Sequence, residues 1–203
     1  MKQLTSLLVL SAVLVFTSCS KDNDDNGTPE VVPTVTTDSV TNVNGSSIDN
    51  GGHYTFYSLE SGTAVALADS ASDKWDLGIS NTTLITNGGV SGPGKGGAYV
   101  QTSAAFSTFS SIPSDSTFRS DSATAKAIKT GSGNGWYNYD FATNIISPIP
   151  GRLLIIRTAT GKYAKVEILS YYKDAPVTVD PATAVPRYYT FRYSYQASGS
   201  KTF

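Results

Sequence analysis

The chain has 203 residues, a formal net charge of −1, and one histidine, one cysteine and one methionine. Its basic residues are scattered, and a nucleic-acid partner needs a basic stripe. A zinc site wants several His or Cys, and a Ser-His-Asp triad would have to use the one histidine, so both chemistries are starved of side chains.

Residues 1–18 read as an export signal. Lys2 makes a small basic start, and residues 7–16 form an almost unbroken apolar run that is too short to span a bilayer as a helix. The run ends in Phe16-Thr17-Ser18-Cys19, with small residues just before a cysteine. That pattern predicts a lipoprotein signal, cut so that an acylated Cys19 leads the mature chain. Acyl chains contribute about 0.8 kcal/mol per buried methylene, so two or three anchor a protein at a membrane that it does not cross. No disulfide is then possible, because the only thiol is lipidated. Residues 19–50 are rich in Asp, Asn, Thr, Ser, Gly and Pro and predict a polar, disordered tether. A short strand near residues 31–35 is available to a sheet edge.

From residue 51 to 203 the pattern predicts one all-β, antiparallel domain with long loops. Residues 53–59, 75–80 and 136–140 are strand candidates. Residues 153–157 form a β-branched run, a Gly-containing turn follows, and alternation resumes over 163–172, which predicts a hairpin. In residues 187–196, Tyr189, Phe191, Tyr193 and Tyr195 alternate with Tyr188, Thr190, Arg192 and Ser194, as in a half-buried strand. Helical period is scarce, with one or two turns expected over 122–128. Residues 87–97 and 110–135 do not fit the strand pattern. Long loops in a compact domain are often functional, and the second is the better element for gripping a ligand. Residues 173–186 carry three prolines and read as a stiff connector.

Most chemical motifs fail on inspection. Residues 89–95 read GVSGPGK and nearly spell a phosphate-binding loop, but Gly96 stands where Ser or Thr should hold magnesium, and a strand follows where a helix is required. His53 opens a strand and reads as a surface residue. Asp69, Asp73 and Asp76 leave a carboxylate-based, carbohydrate-active enzyme open as a minor alternative. The 12 Tyr, 8 Phe and 2 Trp suit a β core, and some suit the lining of a pocket for a flat amphipathic ligand.

The strands spell a pattern that resembles the HmuY family. It runs in order through Lys74-Trp75-Asp76-Leu77-Gly78-Ile79, Asn87-Gly88-Gly89-Val90-Ser91-Gly92, Gly135-Trp136-Tyr137-Asn138-Tyr139-Asp140, Ser147-Pro148-Ile149-Pro150-Gly151-Arg152, Gly161-Lys162-Tyr163-Ala164-Lys165 and Tyr188-Tyr189-Thr190-Phe191-Arg192-Tyr193. The acidic run Lys21-Asp22-Asn23-Asp24-Asp25 resembles the tag that sends Bacteroidota lipoproteins to the outer face of the outer membrane. The resemblance implies a non-enzymatic, cell-surface lipoprotein of the outer membrane. Such a protein captures haem and hands it to a TonB-dependent outer-membrane receptor; an oligomer is open. The family grips iron through paired His or paired Met. This chain has His53 alone and no Met after Met1, and haem iron needs such lone pairs. The resemblance places the family's ligands in the loop before Gly135 and in the segment just before Pro148, where Asn144, Ile145 and Ile146 suit iron poorly. Tyr137 and Tyr139 lie nearby as conceivable ligands, and Arg119, Lys126, Lys129 and Arg152 could pair with propionates. The expectation is therefore capture of haem, a related tetrapyrrole or another flat apolar ligand without the family's axial ligands, and without a structural metal. The alternative is a surface interaction protein or a transporter-accessory lipoprotein.

Overall fold

The structure, a computed structural model, describes residues 35–113 and 118–203. The expected export signal, Cys19, the acidic run and residues 31–34 lie outside the described residues.

Eleven strands run in chain order: β1 Val35–Asn44, β2 Thr55–Ser58, β3 Thr63–Val65, β4 Leu77–Ser80, β5 Thr83–Thr86, β6 Gly97–Gln101, β7 Tyr137–Asp140, β8 Ile145–Pro148, β9 Leu153–Arg157, β10 Tyr163–Tyr172 and β11 Pro186–Gln196. They form a five-stranded sheet in the order β1-β11-β10-β9-β6, a four-stranded sheet β3-β2-β4-β5, and the β7-β8 hairpin. Every strand pair is antiparallel. The all-β antiparallel class therefore holds.

The two larger sheets share the main core. Register sets Ala164 opposite Tyr195, Val166 opposite Tyr193 and Ile168 opposite Phe191, so one face of β10 and β11 is apolar throughout. Against it pack Tyr57, Leu77, Ile79 and Leu84 of the smaller sheet. Each such side chain contributes roughly 1.5–3 kcal/mol when fully buried.

The opposite face of the large sheet corrects one expectation. β11 is not half-buried, because Thr190 and Ser194 are buried and Gln196 is 0 % exposed. A second apolar cluster of Phe106, Ile112, Phe118, Leu153, Ile155 and Tyr163 covers this face. Small hydroxyl side chains fit beneath that layer, so residue polarity concealed the burial. Lys165 fastens the layer: its buried ammonium donates to Phe106 O (2.8 Å) and Phe109 O (2.7 Å) and lies over the rings of Phe106 and Phe203.

The tether expectation is corrected at its carboxyl end. Residues 35–44 are β1, paired along β11 from Val35–Gln196 to Asn44–Tyr188. The strand breaks register between Val40 and Val43, where Asn42 adopts φ 58°. Its Thr36, Thr37, Asp38 and Ser39 are exposed, as an edge strand allows. Composition does not separate such an edge from a disordered linker. The helical turns expected over 122–128 are likewise absent. Asp121 Oδ1 takes the Ala127 N–H (2.7 Å), which a helix would direct to the carbonyl of residue 123. Among the described residues the helical piece is a 3₁₀ turn, Leu67–Asp69.

Candidate binding groove

β6 is an outer strand of the large sheet, and its free edge is met by an isolated bridge between Ala98 and Arg119. The Ala98 N–H donates to Arg119 O (2.8 Å), and the Arg119 N–H donates back to Ala98 O (3.0 Å). Beyond the bridge the strand and the loop of residues 118–135 part. They enclose a groove of about 310 Å³. Ala98, Val100 and Ala127 supply its apolar surface, and Arg119, Lys129 and Arg152 supply its charge.

Each cation is placed by a different device. Arg119 follows from the bridge. Lys129 emerges after Ala127 and Ile128, which are buried because Asp121 holds the loop down. Both Asp121 oxygens are engaged, one by the Thr86 N–H (3.0 Å) and one by the Ala127 N–H. Arg152 stands one residue before β9 and donates through Nη1 to Gly135 O, tying the end of the loop to the sheet. Gly135 lies so close to Lys129 O that a Cβ there would collide with it. Among the described residues no carboxylate forms an ion pair with any of the three cations. Tyr99 also lines the groove; its hydroxyl is buried without a partner among the described residues, and burial pushes its pKa up to about 12.

Of the residues expected at the site, Arg119 lines this groove, together with Lys129 and Arg152; Lys126 turns away and donates to Ser91 Oγ (3.2 Å). The other five residues belong to the β7-β8 hairpin. Tyr137 is 8 % exposed, packs on Trp136 with ring centroids 4.9 Å apart, and its hydroxyl lies 3.5 Å from Thr82 Oγ1. Tyr139 donates its hydroxyl to Asn144 Oδ1 (2.5 Å). Asn144 takes φ 58°, the left-handed conformation a tight turn requires and Asn tolerates. Asp140 closes the turn by accepting from Ala142 N–H (2.9 Å) and Thr143 Oγ1 (2.7 Å). The hydrogen bond from Thr143 leads in holding its carboxyl below the usual range. Ile145 and Ile146 pack against the main core, and the Ile146 N–H donates to Tyr172 OH (3.0 Å). These five candidate residues thus belong to a hairpin folded on itself.

Ala98, Val100 and Thr102 went unnoticed as lining residues. The signal for them was a strand, Ala98-Tyr99-Val100, that begins after a glycine loop and has one neighbour in the sheet. The carboxylate alternative meets a structural use for its residues. Asp69 pairs with Lys74 (2.8 Å), and the buried Asp76 accepts the Leu59 N–H (2.8 Å) on one oxygen and the Ala159 N–H (2.9 Å) on the other.

The donor set fits the rim of a porphyrin and not its iron. Arg119, Lys129 and Arg152 match carboxylate groups, and the apolar strand edge matches a ring. Where the resemblance points to an iron ligand, the Asn144 amide is engaged by Tyr139, and Ile145 and Ile146 are aliphatic. His53 lies exposed beside Tyr54, Phe56 and Leu67 in a separate depression on the smaller sheet. Among the described residues no group of three or more His, Cys, Asp or Glu is placed to hold a metal.

Comparison with known proteins bears on this fold. The structure is similar to that of an apo HmuY analogue from Tannerella forsythia, with a TM-score of 0.55 at 15 % identity, covering 82 % of this chain and 99 % of that one. A candidate lipoprotein of Bacteroides fragilis aligns with a TM-score of 0.48 at 18 % identity, covering 78 % of this chain and 89 % of that one. A candidate HmuY-like haem-binding protein of Bacteroides vulgatus aligns with a TM-score of 0.46 at 17 % identity, covering 78 % and 90 %. No curated protein matches. The family model described as HmuY protein matches residues 50–193, which takes in the smaller sheet, the groove and most of the large sheet. The chain belongs to the HmuY family.

Proposed function

We propose that this protein is a non-catalytic surface lipoprotein that captures a flat, anionic, partly apolar molecule of the haem and tetrapyrrole class. Cys19 anchors it at the outer face of the outer membrane, and a TonB-dependent receptor takes the ligand from it. The observation that carries this reading is the convergence of Arg119, Lys129 and Arg152 on one apolar strand edge. Family membership supports the ligand class. A groove of about 310 Å³ is at the small end of the ~300–1,000 Å³ range of ligand pockets. It seats the carboxylate-bearing edge of a porphyrin and leaves the remainder of the ring against the surface. Recognition then rests on charge and apolar contact, with no pair of axial side chains on the iron.

Titration followed at the Soret band tests this, with haem and metal-free protoporphyrin in parallel. Both are expected to bind with similar affinity. Exposed charge pairs are worth about 0.5–1 kcal/mol each, so Arg119→Gln, Lys129→Gln and Arg152→Gln combined weaken binding by about tenfold or more. A six-coordinate haem spectrum with strong preference for the iron form would overturn the coordination claim, and no binding of either would remove tetrapyrroles.

A second reading, an accessory subunit beside an outer-membrane transporter, is favoured by Phe141. That ring is 83 % exposed at the tip of the β7-β8 hairpin and is braced edge-on by Tyr139 (4.7 Å). Co-purification of a transporter without ligand, lost in Phe141→Ser, is the result this reading requires.

A further inference from the structure

A second basic depression lies at the opposite end of β6, and the porphyrin groove makes no use of it. It encloses about 500 Å³ between Lys95, Arg157 at the end of β9, and the turn at Thr160 and Gly161. The Gly-rich run before Lys95 resembles a phosphate loop in sequence alone. Its amides are committed inside the fold: Gly94 N–H to Asn87 Oδ1 (3.0 Å), Lys95 N–H to Ala159 O (2.8 Å) and Gly96 N–H to Asn87 O (2.7 Å). What the run presents outward is the lysine itself. Lys95 lies across Gly161, with its Cδ 3.4 Å from where a Cβ would stand.

Arg157 is oriented before any ligand arrives. Its Nε–H donates to Lys95 O (2.8 Å), and its guanidinium lies 5.7 Å from the centroid of the Phe118 ring. The terminal amino groups of the fork have no carboxylate partner among the described residues, and neither has Lys95. Two cations lining one depression without a counter-charge repel each other, and a bound anion relieves this. A pre-set guanidinium fork beside an exposed ammonium matches the oxygens of a tetrahedral dianion.

We infer that Lys95 and Arg157 form a binding site for a phosphate- or sulfate-bearing group, with the Thr160 hydroxyl at its rim. Arg152 stands just before β9 and Arg157 ends it, five residues or roughly 17 Å apart at the rise of an extended strand, so the two depressions lie at opposite ends of that strand. It stands whether or not a porphyrin binds.

The test is titration of the isotope-labelled full chain, followed by amide NMR at constant ionic strength, with inorganic phosphate, inorganic sulfate and glucose 6-phosphate. Saturable shifts are expected at Lys95, Thr160 and Gly161 with a Kd of about 1 mM. Lys95→Gln and Arg157→Gln are each expected to weaken binding about tenfold, and Lys173→Gln, at the residue after β10, to leave it unchanged. Arg157→Lys, which keeps the charge but loses the fork, separates lost recognition from lost folding: it should bind weakly with the remaining amide spectrum intact. Tighter binding of glucose 6-phosphate than of phosphate identifies an ester as the ligand, and preference for the bare ion identifies free phosphate. Shifts that stay linear in phosphate, or that are unmoved by Lys95→Gln, overturn the inference.

Discussion

Replacing Asp76 by Asn tests how the two larger sheets are joined. Asp76 is 5 % exposed and sits just before β4. One oxygen receives Leu59 N–H after β2, and the other receives Ala159 N–H in the turn after β9, so a single carboxylate links the smaller sheet to the larger one. Asparagine keeps one acceptor and turns an amino group toward the other N–H. Leaving a buried donor unsatisfied costs about 1–3 kcal/mol. The penalty also depends on pH. Burial pushes the Asp76 pKa up from 3.8 to about 6, and the charge of Glu60 adds to the rise, against the two backbone hydrogen bonds that lower it. A carboxyl raised on folding contributes stability that is fully present below the unfolded value and is lost as pH climbs through the folded one. A shift from 3.8 to about 6 corresponds to about 3 kcal/mol over the whole range, of which about 2 kcal/mol falls between pH 4.5 and 7.5. Urea unfolding of the natural protein and Asp76→Asn at both pH values measures this. The stability gap between them is expected to be about 2 kcal/mol smaller at pH 7.5 than at pH 4.5. A gap that is constant, or widens with pH, would show that the two N–H donors outweigh burial and hold the group ionised.

Two further outcomes follow from close approaches. Gly89 has φ +61° and lies so near Asp121 O that an added Cβ would collide, whereas Gly52 has φ +85° and open space around it. Gly89→Ala is expected to cost about 2–5 kcal/mol, from left-handed strain plus overpacking, and Gly52→Ala only about 1–2 kcal/mol; equal costs in urea melts would refute the steric account. Lys165→Met removes the donor from two carbonyls beneath the outer layer. It is expected to cost about 2–4 kcal/mol and to speed hydrogen exchange at the Phe109 amide, which donates to Ala105 O (3.0 Å) within the segment Lys165 pins. Unchanged exchange there would mean that the apolar cluster alone holds the layer.

Period-two patterning exposed β10 and β11 almost to the residue, because their alternate positions are apolar or aromatic over ten residues or more, and β9 was legible as a short apolar run. It missed β3 and β5, which are three and four residues long and too short for a period to register. β8 was hidden because Ile145 and Ile146 sit side by side, which breaks alternation. β1 was hidden because an edge strand packs through few apolar residues, here Val40 and Val43. Arg119, Lys129 and Arg152 were legible one by one as cations. Their convergence was not, because it arises from the bridge to Ala98, the anchoring of the loop by Asp121 and the tie from Arg152 to Gly135, all contacts remote in sequence.

Most of the residues that make this chain resemble its family are engaged in holding the fold. Trp75 is fully buried and donates its indole N–H to Ser70 O (2.8 Å). Asp76 joins the sheets. Asn87, also fully buried, donates to Ser72 O (2.9 Å) and Trp75 O (2.8 Å) while accepting from Gly94 N–H, and so closes the glycine loop. Trp136 donates to Thr82 O (3.0 Å) and fixes the start of the β7-β8 hairpin. None of these four side chains lines the groove, whereas Arg152, at the end of another stretch of the pattern, does; most of the signature therefore describes a scaffold. A hairpin whose turn needs only Asp140, Thr143 and Asn144 tolerates the absence of an iron ligand at no cost to the sheets. In the same way, cations at a strand edge answer to solvent and ligand and not to the core. Membership in the family is therefore compatible with the recognition proposed above, which uses no pair of axial side chains, because the scaffold and the candidate ligand positions rest largely on different residues.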